Sequence, residues 1–330
     1  MRVLVTGASG FIGSHVARHL TAQGHEVIAT GRDATRLEAA APDAWRRATV
    51  DLAAASLEGL LGEATAIVHC AARASPWGER SAFWLDNVTA TERLLEAARR
   101  STRVRRFVLI SSPSIYFRFR DQQQLTEDFT PPAHWPTPYA ETKWIAECRV
   151  RAAPELGPII LRPRAVYGPG DRAIMPRLIA AARLGLFPIP SGGRAEVDVT
   201  YIDNFVSAVE RALGAARELE GRAFNITNGE PLKARLLLEQ MFQAMRMRVR
   251  LVSIPRSSGI ALARLSEAIA KLRPGRPEPR ITVYGMGLLA YSQTLSIEAA
   301  KEMLGYVPTV PTAEGLRRYA QWREALTRAT

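Results

Sequence analysis

The chain has 330 residues, 47% hydrophobic and 23% charged, the balance of an ordinary soluble globular protein with room for one large α/β unit or two domains. Its net charge is +12, but the arginines are scattered, with no basic block or aromatic-interleaved repeat, so no nucleic-acid partner is expected. Cys70 and Cys148 fall in no metal or CxxC spacing, no apolar run reaches about 18 residues, and the chain opens straight into a strand, so the expectation is a cytoplasmic protein without leader or membrane span.

The first element, "RVLVTGASGFIGSHVARHL", reads as a short apolar strand, a glycine-rich turn and an amphipathic helix. Gly7 permits the tight turn, Gly10 lets a pyrophosphate approach the backbone, and Gly13 lets helix pack on strand, so this unit is expected to bind a dinucleotide at the helix N-terminus. His15 and His19, four apart on that helix, have no third ligand in sight and are expected on a solvated face. The second strand, "EVIAT", ends in Gly31-Arg32-Asp33. An NAD site would hold a carboxylate at that tip, whereas an arginine suits a 2′-phosphate; the expected cofactor is therefore NADP(H), with Arg32 and Arg36 on the phosphate and NAD(H) as the alternative. "TVDLA" puts Asp51 and Leu52 after the third strand, where an adenine edge would be held. "AIVHCAARA" is a buried fourth strand ending in Ala71 and Ala72, small enough to leave room for cofactor. The arginines of "EAARRSTRVRR" read as a solvated helix end and turn.

Further on, "PYAETKWIAE" holds Tyr139 and Lys143, the latter one of only four lysines in a chain whose other 40 basic residues are arginine. Together with TGASGFIG and the Asp51-Leu52 pair, this Tyr-x-x-x-Lys resembles the extended short-chain dehydrogenase/reductases over essentially the whole chain. "LRPRAVYGPGD", "VDVTYIDN", "FNITNGEPL" and "LGYVPTVPTAEGLRR" are similar to that family's later landmarks. Within the family the likeness is to the 3β-hydroxysteroid dehydrogenase group. "AARASPWG" and "RPRAVYGPGDRAIMPRL" point further, toward its 2-alkyl-3-ketoalkanoate reductases. The resemblance implies a Rossmann-type doubly wound parallel sheet with a smaller, mainly helical C-terminal substrate domain. It implies catalytic Ser112 (four before Tyr116 in "LISSPSIYF", with Ser111 excluded), Tyr139 and Lys143, and cofactor contacts from Ser9, Phe11, Ile12, Tyr139, Lys143 and Pro163. The chemistry is consistent: a spacing of four puts Tyr139 and Lys143 on one helix face after Pro138 at a helix start. A phenol ionises near ~10, and a neighbouring ammonium is expected to lower this by roughly 1–3 units. A compact ammonium also suits a ribose better than a flat guanidinium.

The dinucleotide-binding pattern breaks after about residue 165, and "VDVTYIDNFVSAVERAL" and "AFNIT" read as elements returning to the sheet. The expected division is 1–165 with 196–229 as the cofactor domain, and 166–195 with 230–330 as the substrate domain. Trp77, Phe117, Phe119, His134, Trp135 and Tyr167 are candidates for an aromatic rim around a hydrophobic small-molecule substrate. "RSSGIALARLSEAIAKLR" and "ITVYGMGLLAY" are read as core, with a lid or peripheral membrane contact as the alternative. A homodimer is also expected, and no metal. The leading function is ketone–alcohol interconversion on a bulky lipid or steroid, by a CH–OH oxidoreductase. The alternatives are a nucleotide-sugar epimerase or dehydratase, whose serine strand is usually followed by Tyr-Gly where this chain has Tyr116-Phe117, and a non-catalytic NADP-sensing protein.

Overall fold

The computed structural model describes residues 1–182 and 184–329. Seven strands form the central sheet: β1 (Arg2–Thr6), β2 (Glu26–Gly31), β3 (Arg46–Thr49), β4 (Ala66–His69), β5 (Arg106–Ile110), β6 (Pro158–Pro163) and β7 (Ala223–Ile226). All pairings are parallel, in the order β7-β6-β5-β4-β1-β2-β3. Near-continuous apolar runs such as "VLV" and "FVLI" make sense in such a sheet, because both faces are covered. Val3, Val5, Val68 and Val108 lie in one core with Val16, Ala17 and Leu20 of α1 (Phe11–Ala22). Leu4, Ile67, Phe107 and Leu109 point the other way, against Leu94 and Leu95 of α3 (Ala90–Arg100) and Val150 of α4 (Pro138–Arg151), α2 being Ala34–Ala40. The helix α5 (Ile202–Leu213) returns to the first face with Phe205 and Val209. The strand order reverses between β1 and β4, and a sheet of this kind binds ligands outside the carboxyl ends of its strands at that reversal.

A smaller lobe caps those carboxyl ends. It contains α6 (Arg256–Leu272), α7 (Val283–Ala290) and the parallel pair Leu186–Pro190 with Arg250–Ile254, while α8 (Thr312–Ala329) closes the chain. A four-stranded sheet runs Leu232–Lys233, Glu196–Val197, Gln293–Leu295, Gln122–Leu125. Two of its strands, Glu196–Val197 and Gln122–Leu125, come from segments that the sequence reading assigned to the cofactor domain. Trp77 ties the loop after β4 to the far lobe: its Nε1 donates to the Arg276 carbonyl at 2.9 Å. Arg177 reaches Glu278 at 2.9 Å, and Arg276 pairs with Glu79. Of the two apolar C-terminal segments, α7 is packed inward through Met286, Gly287 and Ala290. By contrast α6 buries only Gly259, Ala263 and Ala270, leaving Leu262, Leu265, Ile269 and Leu272 exposed. Among the described residues no helix is long and apolar enough to cross a membrane.

Candidate active site

The glycine turn follows from steric limits. Gly7 has φ +66°, and a Cβ there would lie 2.8 Å from the Ala71 backbone. A Cβ on Gly13 would lie 2.3 Å from the Gly7 carbonyl oxygen, so only glycine lets α1 approach β1 this closely. At the tip of β2, a Cβ on Gly31 would meet Ser9 Oγ at 2.4 Å, so Ser9 covers that tip. Phe11 and Ile12 are half-buried against the core behind the turn. Gly10 caps α1 without a side-chain bond, leaving the first-turn N–H groups for an anion. The cradle therefore fits a pyrophosphate.

Around the tip of β2 the structure adds residues the sequence reading missed. Arg32 Nη1 contacts Asp86 at 3.2 Å, and Arg73 Nε contacts the same carboxylate at 2.8 Å. Asp33 accepts from the Arg36 N–H at 3.0 Å as the cap of α2, and Arg36 Nε lies 3.3 Å from it. The Asp33 carboxylate is thus committed to its helix. Asp51 Oδ1 accepts from the Ala53 N–H at 2.9 Å, while the Leu52 side chain is buried in the core, leaving its backbone as the group on offer. Ala71 is half-buried and Ala72 exposed at the end of β4. Their position is set by a relay. The Ala71 N–H donates to Thr6 Oγ1 at 3.1 Å, and Thr6 Oγ1 lies 2.7 Å from His69 Nδ1. His69 Nε2 lies 3.0 Å from Thr91 Oγ1, whose proton goes to the Asn87 carbonyl at 2.6 Å. Because Thr91 donates onward, Nε2 carries the histidine proton and Nδ1 accepts. Burial drives His69 down to about 3, so it stays neutral.

The three groups implied as catalytic converge beyond β5. Ser112 caps the one-turn helix Pro113–Tyr116, its Oγ accepting from the Ser114 N–H at 3.2 Å, and it stands beside the Tyr139 hydroxyl, close enough to act on it. Tyr139 sits in the first turn of α4, which starts as the sequence suggests, with Pro138 at its first position and Thr137 Oγ1 accepting from the Ala140 N–H at 3.1 Å. Lys143, one turn on, is buried and donates from Nζ to the Ile110 carbonyl at 2.6 Å. Burial pushes the Tyr139 phenol up, and Ser112 opposes it. Burial also lowers Lys143 to about 8, against the pull of Glu147 and Cys70. The sequence expectation that the ammonium lowers the phenol is therefore amended: in this structure that effect comes from Ser112, and the ammonium is turned to a backbone carbonyl.

Asn87 fastens this face to the cofactor loop. It lies in the wide π-type turn Trp84–Thr89, a distortion that often marks functional positions. Its Nδ2 donates to Thr142 Oγ1 at 3.0 Å, and its Oδ1 accepts from the Arg73 N–H at 2.7 Å. Behind α4, Ser111 Oγ bonds Glu147, which explains why Ser111 is not free for a substrate. Glu147 is fully buried and takes a two-pronged pair from Arg162, at 2.7 and 3.0 Å. Arg162 also bonds the Tyr116 hydroxyl, which donates to Asn225 Oδ1 at 2.8 Å.

The expected aromatic rim is only partly assembled. Phe117 is buried and packs edge-on against Phe119 and Tyr284, with ring centres 5.1 and 5.2 Å away. Tyr284, on α7, is influenced electrostatically by Tyr139 and was not anticipated. Trp77 lies half-buried between the lobes. Trp135 instead joins Phe129 and Trp144 in a satellite cluster, and His134 is exposed. Tyr167 is not at the rim: it is 2% exposed in the main core, its hydroxyl donating to the Thr312 carbonyl at 2.9 Å. Pro163 is buried at the end of β6. The two helix histidines are tied down rather than solvated, His15 to the Pro169 carbonyl and His19 to Glu210, each at 2.8 Å. The arginines near residue 100 are divided among separate ion pairs with Glu155, Glu96, Glu63 and Glu220.

A parallel sheet with a glycine cradle at its strand-order reversal, and a Ser–Tyr–Lys group beside it, describes a nicotinamide-dependent enzyme. The chain belongs to the NAD dependent epimerase/dehydratase family, whose profile matches residues 3–227. It is 34% identical over 332 residues to the 2-alkyl-3-oxoalkanoate reductase of Stenotrophomonas maltophilia, covering 96% of this chain and 98% of that one. It is 30% identical over 332 residues to the decarboxylating sterol-4-alpha-carboxylate 3-dehydrogenase of Mus musculus, covering 96% and 89%. In fold it is similar to the UDP-glucuronic acid 4-epimerase of Bacillus cereus solved with NAD, with a TM-score of 0.78 at 22% identity over 99% of each chain. The chain is an NAD(P)-dependent oxidoreductase of this family.

Proposed function

We propose that the chain reduces a ketone to a secondary alcohol on a bulky apolar substrate, a 2-alkyl-3-oxoalkanoate or a 3-ketosteroid, with NADP(H). The observation that carries this is the pair of adjacent hydroxyls, Ser112 and Tyr139, with Lys143 one helical turn away. The nicotinamide, when bound, supplies the hydride. Ser112 and Tyr139 donate to the carbonyl oxygen and stabilise the negative charge that develops there. Burial keeps the Tyr139 proton in place near neutrality, the state a general acid needs, which favours the reductive direction. Lys143, held by the Ile110 carbonyl, offers its remaining N–H groups to a ribose and its charge to the phenolate left behind. Glu147 and Arg162 keep α4 fixed against the sheet while this happens.

NADP(H) is favoured by Arg32 and Arg73 meeting at the β2 tip on Asp86, with Arg36 following in sequence, while the Asp33 carboxylate is turned into α2. The buried Phe117 and Tyr284 wall supports an apolar substrate. Each methylene buried there is worth roughly 0.8 kcal/mol, about fourfold in binding. The test is NADPH oxidation across a 2-alkyl-3-oxo acid series, a 3-ketosteroid and UDP-glucose. Efficiency should rise with chain length, NADPH should outperform NADH, and Arg32→Ala should narrow that gap. Turnover of UDP-glucose with no response to chain length would instead favour the sugar branch, which uses the same three groups.

A further inference from the structure

We propose that Arg164 seats a carboxylate of the substrate, one carbon removed from the reacting carbonyl, and that Tyr284 holds the guanidinium in place for it. This rests on the ketone chemistry assigned to Ser112 and Tyr139 and adds the charged group that the substrate must carry.

Two buried arginines stand two residues apart at the end of β6, and the structure treats them differently. Arg162 is 1% exposed and fully engaged, by Glu147, Tyr116 and the Glu127 carbonyl. Arg164 is 5% exposed, yet among the described residues no carboxylate lies within ion-pairing distance of it. Its Nε has no hydrogen-bond partner, and the neighbouring Tyr284 hydroxyl acts on the guanidinium electrostatically. Asp198 acts on it through space, but that carboxylate accepts from the Leu295 N–H at 2.7 Å and is not in contact with Arg164. A buried cation with no counter-charge in contact is a liability, and an apolar side chain would fill the space more stably. A guanidinium kept there is a fork waiting for a planar anion.

Position decides which anion. Arg164 follows β6, the strand next to β5, after which Ser112 stands. The glycine turn follows β1, three strand spacings away or about 14 Å, and Arg32 follows β2 at about 19 Å. The cofactor's phosphates are therefore provided for elsewhere, on the other side of the strand-order reversal. Tyr284 lies between the two halves of the site, since both Arg164 and Tyr139 act on it electrostatically. An anion at Arg164 belongs to the molecule whose carbonyl meets Ser112 and Tyr139. A 3-oxo acid has this shape, with its carboxylate one carbon from the ketone.

The test uses the chemically stable alcohols, a 2-alkyl-3-hydroxy acid and its methyl ester, oxidised with NADP+ by the full chain and by Arg164→Leu, Arg164→Lys and Tyr284→Phe. In the parent protein kcat/KM for the acid should exceed that for the ester by at least about 30-fold, the scale of losing one partner of a buried charged hydrogen bond. Arg164→Leu should bring the ratio close to one, mainly through KM for the acid, with Arg164→Lys in between. Thermal unfolding and NADPH titration establish that each variant is folded. If Arg164→Leu is not, a drop in the ratio in Arg164→Lys and Tyr284→Phe supports the assignment, and an unchanged ratio overturns it. Equal use of acid and ester by the parent protein overturns the anion seat while leaving the oxidoreductase reading intact. Failure with both, accompanied by turnover of UDP-glucose, overturns the substrate reading itself.

Discussion

Gly13→Ala tests the cofactor cradle most directly. The new Cβ would lie 2.3 Å from the Gly7 oxygen, 2.6 Å from the Gly7 carbonyl carbon and 2.9 Å from the Ala8 nitrogen, all of them backbone. A normal carbon–oxygen contact needs roughly 1 Å more, so α1 must slide away from β1 by about that distance. It cannot do so freely, because Val16, Ala17 and Leu20 lock the helix into the core. Overpacking of this kind costs about 1–3 kcal/mol, and a backbone clash under a core helix belongs near the upper end. At about 2 °C per kcal/mol for a chain of this size, the melting temperature should fall by about 6 °C. The helix N-terminus also retreats from the phosphates, so NADPH affinity should weaken at least tenfold, and the gain in melting temperature on adding NADPH should shrink. Gly214→Ala is the control, since the nearest atom to its Cβ is 3.9 Å away. Thermal unfolding with and without NADPH, with fluorescence titration of the cofactor, reads both effects. Wild-type melting and affinity in Gly13→Ala would refute the steric account of the turn.

Tyr139→Phe should lower turnover by a thousandfold or so while leaving NADPH affinity within a few-fold, as judged by steady-state rates and titration; near-normal turnover would assign the proton to another group. Lys143 should make nicotinamide-cofactor binding pH-sensitive. Its folded value of about 8 lies below the ordinary 10.5, so the ammonium is present below pH 8 and lost above it. Affinity should therefore weaken as pH rises through 8, and Lys143→Met should flatten that profile. The same depression means that Lys143 opposes folding below about pH 8 and that this penalty is relieved between about 8 and 10.5, because there the unfolded chain binds the extra proton. Arg162→Met or Glu147→Gln alone should destabilise by about 3–5 kcal/mol in denaturant melts, while the double change should cost much less than their sum.

What could be read from the sequence was local. The strand–turn–helix unit, the start of α4 and the Tyr139–Lys143 spacing are set within a few residues, so periodicity and capping expose them. The missed residues depend on contacts between distant segments. Asp86 gathers Arg32 and Arg73 from two loops, and Tyr284 reaches the site from α7, well over a hundred residues after Tyr139. Tyr167 was misjudged for the same reason: an aromatic near a predicted loop suits a rim until its hydroxyl finds a carbonyl 145 residues later in the chain. Gln122–Leu125, polar and short, gave no strand signal, because its pairing with Gln293–Leu295 is what makes it a strand. The steric role of Gly31 was likewise invisible, since it follows from Ser9 lying across β2.

The buried Glu147–Arg162 pair also constrains how this protein can change over generations. Replacing Arg162 alone leaves the buried Glu147 carboxylate with only the partly exposed Arg151, 3.2 Å away, and replacing Glu147 alone leaves Arg162 without its ion-pair partner and strands the Ser111 hydroxyl. A lineage can leave this arrangement only by substituting both partners nearly at once, or by first accumulating stability elsewhere to survive the intermediate. Arg164, two positions on and just past the end of the strand, has no such partner among the described residues. Descendants are therefore free to exchange it as their substrates change, while the pair beside it is inherited as a unit.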